Sequence, residues 1–590
     1  MAGATRKSRK ARFFLSMGIL FALILVVWLH PDGEWTTWPP RSFLIKSLVS
    51  SVSNILQTYD PESGRFGTDP WTCQDQNVLF PLAAAWSIED PANPYYHDRK
   101  LLAAIARGGE ALVDAQDGEG KWIFRKKDDS TWGMIFMPWT YSRWIRAYVL
   151  VKDALPPASR AKWEKGLLLG FEGIRRQELG RVHNIPCHHA MALYIAGVAF
   201  KKEEWKKAAQ EFQQKVMAEQ FPEGYWSEHS GPVVSYNMVY LDALGTYYAF
   251  SKDPAVPEVL RRSVKFHRDI LWSDGTSASA IDERVIYHRT VNIGNVGFSF
   301  SAEGRGFLLH QLWKESRGGK KLVGADYAAS LLLHGGQGPV VPMPTAQPQS
   351  VSVIGKNEAV LVRDAPWEWC FSAYTTKPIQ NRWIQDRQNH VDLFHSRTGV
   401  FAGGGNTKLQ PYWSTFTVGE PAFLRHREGE EEPNFLPAID LRWTADRATI
   451  TRSGNPTEMT LTYGELECSV VVEVLPGGRQ LVLTYRAPAG RRVEAHLPFL
   501  KIAESIKTAK GSEFRLGEGE LVLNESHIGS FFDFGPLHVV IPRGSILRWP
   551  ARQHNPYTKD GRSELSDAKL VLCLPFEKTS QHLVMISVYP

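Results

Sequence analysis

Residues 335–348 read GGQGPVVPMPTAQP, and the character of the chain changes at this stretch. Glycine and proline break helices and strands, and the stretch carries no charge, which is typical of a linker between domains. The chain has 590 residues, whereas a single hydrophobic core seldom grows beyond about 250–300 residues. The sequence therefore predicts two large domains joined by a linker at residues 336–348.

Before the linker, apolar residues recur at helical spacing. In the clearest segment they fall at i, i+3, i+4, i+7 and i+11, at Trp205, Ala208, Ala209, Phe212 and Val216. The pattern recurs at residues 101–112, 163–174 and 259–272. Amphipathic helices joined by short loops predict an all-helical domain over residues 36–335, and its size favours an (α/α) toroid of helical hairpins over a four-helix bundle.

After the linker the period changes to two. Residues 468–474 and 480–485 are rich in Val, Leu and Tyr and flank Pro476-Gly477-Gly478, which predicts a β-hairpin. Similar short runs follow at residues 521–523, 539–541, 570–574 and 583–588. The sequence predicts an antiparallel β-sandwich over residues 349–590, and hence a multidomain α+β chain.

The N-terminus, residues 1–35, has the order of an export signal. Basic residues from Arg6 to Arg12 precede an uncharged apolar run from Phe13 to Leu29, which is long enough to reach the lower limit of a membrane-spanning helix. Small residues are missing where a signal peptidase would cut, which favours a transmembrane signal-anchor over a cleaved signal peptide. We expect a membrane-anchored protein with everything after Pro31 outside the cytoplasm, or a secreted protein if the signal is cleaved.

Composition narrows the function classes. The net charge of +6 is spread along the chain, which argues against a nucleic-acid partner and is compatible with a polyanionic substrate. The 20 tryptophans favour a sugar ligand, because indole faces hold sugar rings, although most tryptophans of large proteins lie in cores. The five cysteines are odd in number and widely separated, so we expect buried free thiols and neither a disulfide framework nor a metal site.

The first cluster of chemically versatile residues is Arg181–His189, which leads into a predicted helix. Asn184 lies at or just before the helix N-terminus, where free N–H groups and the helix dipole favour an anion such as a carboxylate. His183 and His188 are candidate partners of Asn184. The alternative is that Asn184 caps the helix and that the histidines are structural.

The second cluster is Glu223–Tyr236, which offers acids, a histidine and a tyrosine before the next predicted helix. Tyr236, near the start of that helix, could present its phenol to a cleft. The alternative is that its ring packs and bonds locally.

The third cluster is Gln388–His395, at the start of the predicted β domain. On a strand, His390 and Asp392 project from the same face. Such a pair can ligate a metal, orient an acid–base histidine, or form an ordinary polar strand. Arg382, Trp383 and Arg387 precede the cluster and could hold substrate charge and a sugar face, although exposed arginines and packed tryptophans are common.

In their order and spacing, the three clusters resemble the heparinase II/III-like polysaccharide lyases, which include the oligoalginate lyases. Residues 190–197, AMALYIAG, are similar to that family's Ala-x-Ala-Leu-x-x-Ala-Gly helix. Glu228-x-Ser230 and the following tyrosine are similar to its Gly-x-x-x-Glu-x-Ser-x-x-Tyr element, and residues 390–394, HVDLF, to its His-x-Asp-x-x-x-Phe stretch.

The sequence departs from the family in three places. Ile185 follows the asparagine where relatives often have His. The gap from Glu228 to the tyrosine is longer than usual, which makes Tyr240 an alternative to Tyr236. Asp392 stands where some relatives have a second His that holds zinc, and neither a metal nor a cofactor is predicted here.

The resemblance implies β-elimination on an acidic polysaccharide or oligosaccharide. Asn184, with His183 or His188, would neutralise the uronate carboxylate, Tyr236 would act as acid, or as acid and base, and His390 as base. The expected substrate-binding residues are His183, His188, Glu228, Tyr240, Arg382, Trp383 and Arg387. Two alternatives stay open: a glycoside hydrolase on the same toroid, using two of Glu223, Glu228, Asp274 and Asp282, and a non-catalytic glycan-binding protein at the cell surface.

Overall fold

The computed structural model describes residues 38–67, 73–125, 131–284, 290–317, 322–343, 349–420, 433–437, 439–558 and 560–589. Its first half is helical: α1 Arg41–Gln57, α2 Leu79–Ser87, α3 Arg99–Ala115, α4 Pro138–Val151, α5 Pro157–Gln177, α6 Asn184–Phe200, α7 Glu203–Ala218, α8 Val234–Ser251, α9 Val256–Asp269, α10 Ala302–Arg317 and α11 Ala325–His334. The short hairpin of β1 Trp122–Arg125 and β2 Thr131–Ile135, which the sequence did not predict, interrupts them.

The helices form an inner ring and an outer layer. In the inner ring α2 packs against α4, α4 against α6 and α6 against α8, and α11 contacts both α8 and α2 and so closes the ring. The outer helices α3, α5, α7 and α9 pack against their inner neighbours and are amphipathic. Helix α7, for example, buries Trp205, Ala209, Phe212 and Val216 on one face, because these residues recur at the helical period. The predicted toroid is confirmed.

The second half is built from antiparallel strands: β3 Gln349–Ile354, β4 Ala359–Asp364, β5 Trp367–Ser372, β6 Val391–His395, β7 Gly399–Ala402, β8 Phe416–Gly419, β9 Leu441–Arg442, β10 Arg447–Arg452, β11 Thr457–Tyr463, β12 Leu466–Val474, β13 Gln480–Arg486, β14 Val493–Leu500, β15 Ser505–Thr508, β16 Glu513–Arg515, β17 Leu521–Leu523, β18 Phe531–Phe534, β19 Leu537–Val540, β20 Ile546–Ala551, β21 Lys569–Pro575 and β22 Gln581–Val588. A single helical turn, α12 Glu525–Ile528, lies among them.

The strands form two large sheets. One runs in the order β17-β20-β21-β14-β7-β6-β5-β4-β3, with β8 and β9 attached at β14, and the other in the order β10-β11-β12-β13-β22-β19-β18-β15-β16. Apolar side chains of both sheets, such as Trp369, Val470 and Phe499, share one buried core. The predicted hairpin at residues 476–478 joins β12 to β13. The sandwich is confirmed, whereas the exact boundaries at residues 335 and 349 stay predictions.

An apolar contact joins the two halves. Trp272, after α9, stacks on Phe394 of β6 with ring centroids 5.4 Å apart. Both belong to a buried cluster that also contains Ile281 from the helical half and Leu361 from the β half. Burial of large apolar rings at this junction stabilises a fixed relation between the halves.

The prediction of a membrane anchor is corrected. Within the part of the chain that the structure describes, no helix combines the length and the apolar character needed to cross a membrane. The expected signal-anchor, residues 1–35 with the apolar run Phe13 to Leu29, lies outside the described residues. The membrane-anchored location drawn from that run is therefore withdrawn.

Two expectations from composition can be checked against burial. The five cysteines are all buried and free, as expected. Many tryptophans are core residues: nine of the largest fully buried side chains are indoles, among them Trp144, Trp369 and Trp549. The tryptophan count is thus mostly a property of the cores, and only partly exposed indoles bear on sugar binding.

Candidate active site

Asn184 is the first residue of α6, at the end of an inner helix. His183 before it is extended, with φ −159° and ψ 176°, and Pro186 lies in the first turn. The first N–H groups of a helix lack partners within the helix, and the dipole is positive there, so this end favours an anionic group. Asn184 is 7% exposed, which limits competition from water.

Glu228 lies beside Asn184, in the loop before α8. Burial raises the pKa of Glu228, and hydrogen bonding with Asn184 and Tyr240 opposes this effect without cancelling it. Burial and then the charge of Glu228 raise the pKa of Tyr240, so that phenol keeps its proton. The structure thus brings three predicted residues, Asn184, Glu228 and Tyr240, into one polar group.

The loop that carries Glu228 is fixed on both sides. Asn237, buried in α8, accepts from the Trp226 N–H at 2.7 Å and donates to the Trp226 carbonyl at 3.0 Å. Gly231 has φ +115°, and a Cβ there would lie 2.8 Å from the Tyr374 ring of the β half. Glycine at this position therefore lets the loop lie flat against the β half.

Tyr236 lies in the first turn of α8, half-buried, beneath a guanidinium. The Cζ atom of Arg284 is 4.5 Å from the centroid of the Tyr236 ring and 5.7 Å from that of Trp383. The Trp383 ring is in turn 5.6 Å from Tyr557, a residue that is 61% exposed. A cation and three aromatic rings from both halves thus lie side by side, an arrangement suited to a sugar ring with an anionic substituent.

His229 is a partly exposed imidazole that a buried carboxylate orients. Its Nδ1 lies 3.0 Å from Oε1 of Glu283, with side chains 39% and 0% exposed. The Ser230 hydroxyl donates to Oε2 of Glu283 at 3.0 Å. Burial would raise the pKa of Glu283, but its bond to His229 and the charge of Arg387 outweigh burial and lower it. An ionised carboxylate holds the proton on Nδ1, which leaves Nε2 as the basic atom.

Three consecutive residues, Asp282, Glu283 and Arg284, contact the start of α8, His229 and Tyr236. Asp282 accepts from the Val234 N–H at 2.5 Å and so caps α8. Glu283 and Arg284 reach the imidazole and the phenol described above. From the β half, Asn406 donates to the Asp282 carbonyl at 2.8 Å. One short segment therefore fixes a helix start, a histidine and a tyrosine.

The β half holds the same segment through Asp392 of the third sequence cluster and through Arg387, which precedes that cluster. Asp392 accepts from the Ala280 N–H at 2.6 Å and from the Gly404 N–H at 2.8 Å. Arg387 donates from Nη1 to the Ile281 carbonyl at 2.8 Å. The His-x-Asp motif thus acts here through its aspartate, as an anchor for residues 280–284.

His390, the predicted base, is fully buried in the β half. Its Nδ1 lies 2.8 Å from the Ser372 carbonyl, and the backbone N–H of His390 donates to the Thr415 hydroxyl at 3.0 Å. Burial lowers its pKa to about 4, so the ring is uncharged at neutral pH and Nδ1 donates to the carbonyl. A partly exposed imidazole is found instead at His229, whose partner Glu283 precedes Arg284 in the chain.

The other predicted histidines lie along α6. His183 precedes the helix, half-buried, and burial and the charge of Arg181 lower its pKa. His188 lies one turn beyond Asn184, with Nε2 3.2 Å from Oδ2 of Asp242. Asn184 and His188 therefore project from one face of the helix.

The two predicted arginines bind backbone. Arg382 donates to the carbonyls of Pro556 and Thr558, at 2.5 and 2.8 Å, and Arg387 donates to that of Pro232 at 3.1 Å. Both are nearly or fully buried. The cation that reaches the candidate site is Arg284.

A group that could hold a metal lies elsewhere. Glu494, His496 and Cys573, on β14 and β21, are buried with their donor atoms within 4.8 Å of one another. His496 already bonds Glu494 at 2.9 Å through Nε2 and contacts the Ser414 carbonyl at 3.1 Å through Nδ1. Each imidazole nitrogen of His496 thus already has a protein partner.

Sequence reasoning missed Glu283 and Arg284 for an identifiable reason. His229 stands inside the second cluster, but its partner lies 54 residues further on, in a stretch without helix or strand periodicity. A carboxylate or an arginine in such a stretch is usually solvated. Complete burial of Glu283 distinguishes it, and burial cannot be read from one sequence.

Solved structures share this architecture. The chain resembles heparinase III, with a TM-score of 0.53, 10% identity and coverage of 89% of this chain and 78% of that one. It resembles the Streptomyces coelicolor A3 chondroitin AC lyase in complex with chondroitin sulphate, with a TM-score of 0.53, 14% identity and coverage of 94% and 80%. Neither a protein-family model nor a curated protein sequence matches the chain.

At these identities the likeness establishes the fold, which is the toroid and sandwich of heparinase III and chondroitin AC lyase. The resemblance to heparinase-type lyases that the sequence motifs indicated is thus confirmed at the level of fold. The oligoalginate branch stays a prediction.

Proposed function

We propose that the protein is a polysaccharide lyase that cleaves a uronate-containing glycan by β-elimination. The proposal is supported by the charge of Arg284, which acts on Glu228 beside Asn184 and also lies over the Tyr236 ring. It is supported further by the His229 imidazole, next to Glu228 in the chain, which Glu283 orients. A protein of the same fold forms a complex with chondroitin sulphate, which supports an acidic glycan as substrate.

The substrate carboxylate would lie at Asn184. The C5 proton of a uronate is scarcely acidic while the adjacent carboxylate keeps its full charge. Donors at that carboxylate stabilise the enolate-like charge that develops as the proton leaves. The Asn184 amide and the first N–H groups of α6 are such donors, and Arg284 adds a positive charge nearby, since it also acts on Glu228.

We assign the base role to His229 rather than to His390. Nε2 of His229 is the basic atom of a ring whose Nδ1 bonds an ionised Glu283. After His229 removes the C5 proton, the electron pair forms the C4=C5 bond and the C4–O4 bond breaks. His390, with its ring buried, would act by supporting residues 372 and 415 behind the cleft.

Tyr236 would protonate the departing O4 oxygen. A general acid must lie within hydrogen-bond reach of the leaving atom, and the half-buried phenol at the start of α8 lies under Arg284, whose charge also acts on Glu228. Arg284 over its ring favours the phenolate that forms. Tyr240 is less suited, because its phenol is buried beside Glu228.

The carboxylates support elimination over hydrolysis. An inverting hydrolase needs two carboxylates about 6.5–9.5 Å apart that face the substrate. Of the candidates, Asp282 caps α8 and Asp274 accepts from the N–H and the hydroxyl of Thr276 at 2.9 and 2.7 Å. Glu228 lies beside Asn184.

The test is incubation of the protein with chondroitin sulphate, heparan-type glycan, alginate and glucuronan. A lyase generates ultraviolet absorbance from the C4=C5 bond, together with new reducing ends. New reducing ends without absorbance would establish a hydrolase and overturn the proposal. Neither signal, from a folded protein that binds these glycans, would establish a binding protein and overturn it too.

A further inference from the structure

A cavity of about 280 Å³ lies inside the ring of inner helices. Its lining includes His188, one turn beyond Asn184 on α6, and Val239, one turn beyond Tyr236 on α8. One turn of helix rises about 5–6 Å. The cavity therefore begins where the candidate active site ends, and extends it toward the centre of the toroid.

A buried arginine lies behind the cavity wall, next to Ser330, which lines the cavity. Arg146, two turns beyond the start of α4, is 1% exposed and donates to the Ser330 hydroxyl at 3.1 Å. Its Cζ atom lies 3.9 Å from the centroid of the Phe80 ring. Arg146 therefore supports Ser330 from behind and does not itself line the cavity.

Carboxylates outnumber arginines in the cavity wall. Arg143 lies 2.9 Å from one carboxylate oxygen of Asp326, and Arg146 lies 3.8 Å from the other. Asp242 bonds His188, and burial lowers the pKa of His188 despite that bond, so the imidazole is uncharged. Among the lining residues, one arginine, Arg143, therefore faces two aspartates, while Arg146 lies behind the wall.

The carboxylates are the more accessible partners. The side chains of Asp326 and Asp242 are 35% and 23% exposed, whereas those of Arg143 and Arg146 are 19% and 1% exposed. A ligand therefore meets mainly hydrogen-bond acceptors. Hydroxyl groups donate well to carboxylates, and a second carboxylate or a sulfate would be repelled by them.

The cavity also offers an aromatic wall. Trp139 lines it, half-buried, with its ring edge-on to His188 at 4.6 Å. Indole beside carboxylates suits a pyranose, which has apolar C–H faces and a rim of hydroxyls. The volume, near the lower limit of ligand pockets, accommodates one ring rather than a chain.

We propose that this cavity is a subsite for one uncharged sugar residue, adjacent to the uronate at Asn184. The position of the uronate rests on the proposed function, but the cavity's preference for an uncharged ring does not. The consequence for substrate class is that the protein acts on a glycan in which uronates alternate with uncharged sugars, and disfavours a chain made of uronates alone.

The test measures binding of methyl N-acetyl-β-glucosaminide and methyl β-glucuronide to the full chain by saturation-transfer NMR titration. The Asn184→Ala background removes the proposed carboxylate site. We expect the uncharged glycoside to bind there at least about tenfold more tightly than the glucuronide. Equal affinities, or no binding of the uncharged glycoside, would overturn the subsite.

The Asp326→Asn variant in the same background gives a readout that a structural role would not move. It removes one accessible carboxylate and frees Arg143, so affinity for the uncharged glycoside should fall about tenfold while that for the glucuronide rises. The matched control is Asp153→Asn, an 81% exposed aspartate that pairs with Arg160, which should change neither. If Asp326→Asn is misfolded by circular dichroism, Val239→Phe, which fills the cavity, replaces it and should abolish binding of the uncharged glycoside.

Failure of this proposal and failure of the proposed function are distinguishable. If no glycan yields a C4=C5 bond, elimination is wrong, and the NMR titration still decides the subsite. If elimination occurs and unsulfated chondroitin is cleaved no better than glucuronan, the lyase stands and the subsite falls. A preference of at least about tenfold in kcat/KM for unsulfated chondroitin is the expected result.

Discussion

The Nδ1 atom of His229 lies 3.0 Å from the carboxylate of Glu283, and the two residues come from loops on either side of α8 and α9. The histidine is partly exposed and the glutamate fully buried. A buried carboxylate behind an accessible imidazole is the arrangement that fixes a tautomer and supports proton abstraction.

Replacing Glu283 by Gln should lower kcat at least about tenfold. The glutamine preserves volume but removes the counter-charge of the imidazolium that forms when the proton is taken. The measurement is kcat and kcat/KM by ultraviolet absorbance.

The β half offers a matched control for that change. His538 and Asp533 form a second histidine–carboxylate pair, 2.7 Å apart, on β18 and β19. Asp533→Asn should leave kcat unchanged. An unaltered kcat in Glu283→Gln would remove His229 from the base role.

Tyr236→Phe should lower kcat by about 100-fold or more with little change in KM, because the phenol acts on the leaving oxygen and contributes little to substrate binding. Tyr248→Phe is the control, since Tyr248 lies on the same helix and packs edge-on against Phe300. Full activity of Tyr236→Phe would shift the acid role to another residue.

Glu228→Gln should lower KM for an acidic glycan by roughly two- to tenfold, because it removes a negative charge beside the carboxylate site. Burial raises the pKa of Glu228, so the gain should grow as pH rises and the wild-type residue becomes ionised. Glu223→Gln, in the same loop, should have no such effect. A KM that increases would show that Glu228 itself binds substrate.

Asp392→Asn should lower the free energy of unfolding by about 1–3 kcal/mol. Burial raises the pKa of Asp392, while N–H groups of Gly404 and Ala280 and the charge of Lys569 oppose that effect. The amide accepts less well from the two N–H groups and does not interact with the charge of Lys569. Denaturant unfolding measures the loss. Activity should fall further than in Asp364→Asn, a control on β4 whose carboxylate bonds Gln349 and Asn455.

Stability should decrease as pH falls from about 6.5 toward 4. Burial lowers the pKa of His390 to about 4 and those of His189 and His267 to about 3, below the value of about 6.5 in the unfolded chain. The unfolded state therefore binds more protons in this window, and each group costs about 1.4 kcal/mol per pH unit. Thermal unfolding from pH 7 to 4.5 tests this, and a flat Tm would contradict it.

The fold class could be predicted because apolar residues recur at the helical period in the first half and at the strand period in the second. The spacing from Trp205 to Val216 buries one face of α7, as expected. Helix α11 ends at His334 and β3 begins at Gln349, whereas the linker at residues 336–348 stays a prediction. The hairpin β1–β2 escaped prediction, since two short strands within helical surroundings carry little periodic signal. The order of strands in the two sheets depends on contacts far apart in sequence and was likewise not predictable.

The candidate site was predictable in part. Asn184 and Glu228 were found because short motifs mark them, and the structure brings them together. His390 was chosen by motif, but its burial depends on packing against distant residues such as Ser372 and Thr415. Glu283 and Arg284 lie in irregular chain, where their roles come from tertiary neighbours alone. Local pattern located the helix ends, and long-range packing selected the side chains that meet there.

The anchoring of residues 280–284 by Asp392, Arg387 and Asn406 has a consequence for protein engineering. The toroid and the sandwich each have a core of their own. A chimera that joins this toroid to another sandwich should nevertheless keep its helices and lose the arrangement of the candidate active site. Transplanting the three anchors along with the toroid should restore it. Evolution or design must therefore keep residues 280–284 together with their three anchors in the β half. Each anchor lies more than 100 residues away in sequence from the residue that it bonds.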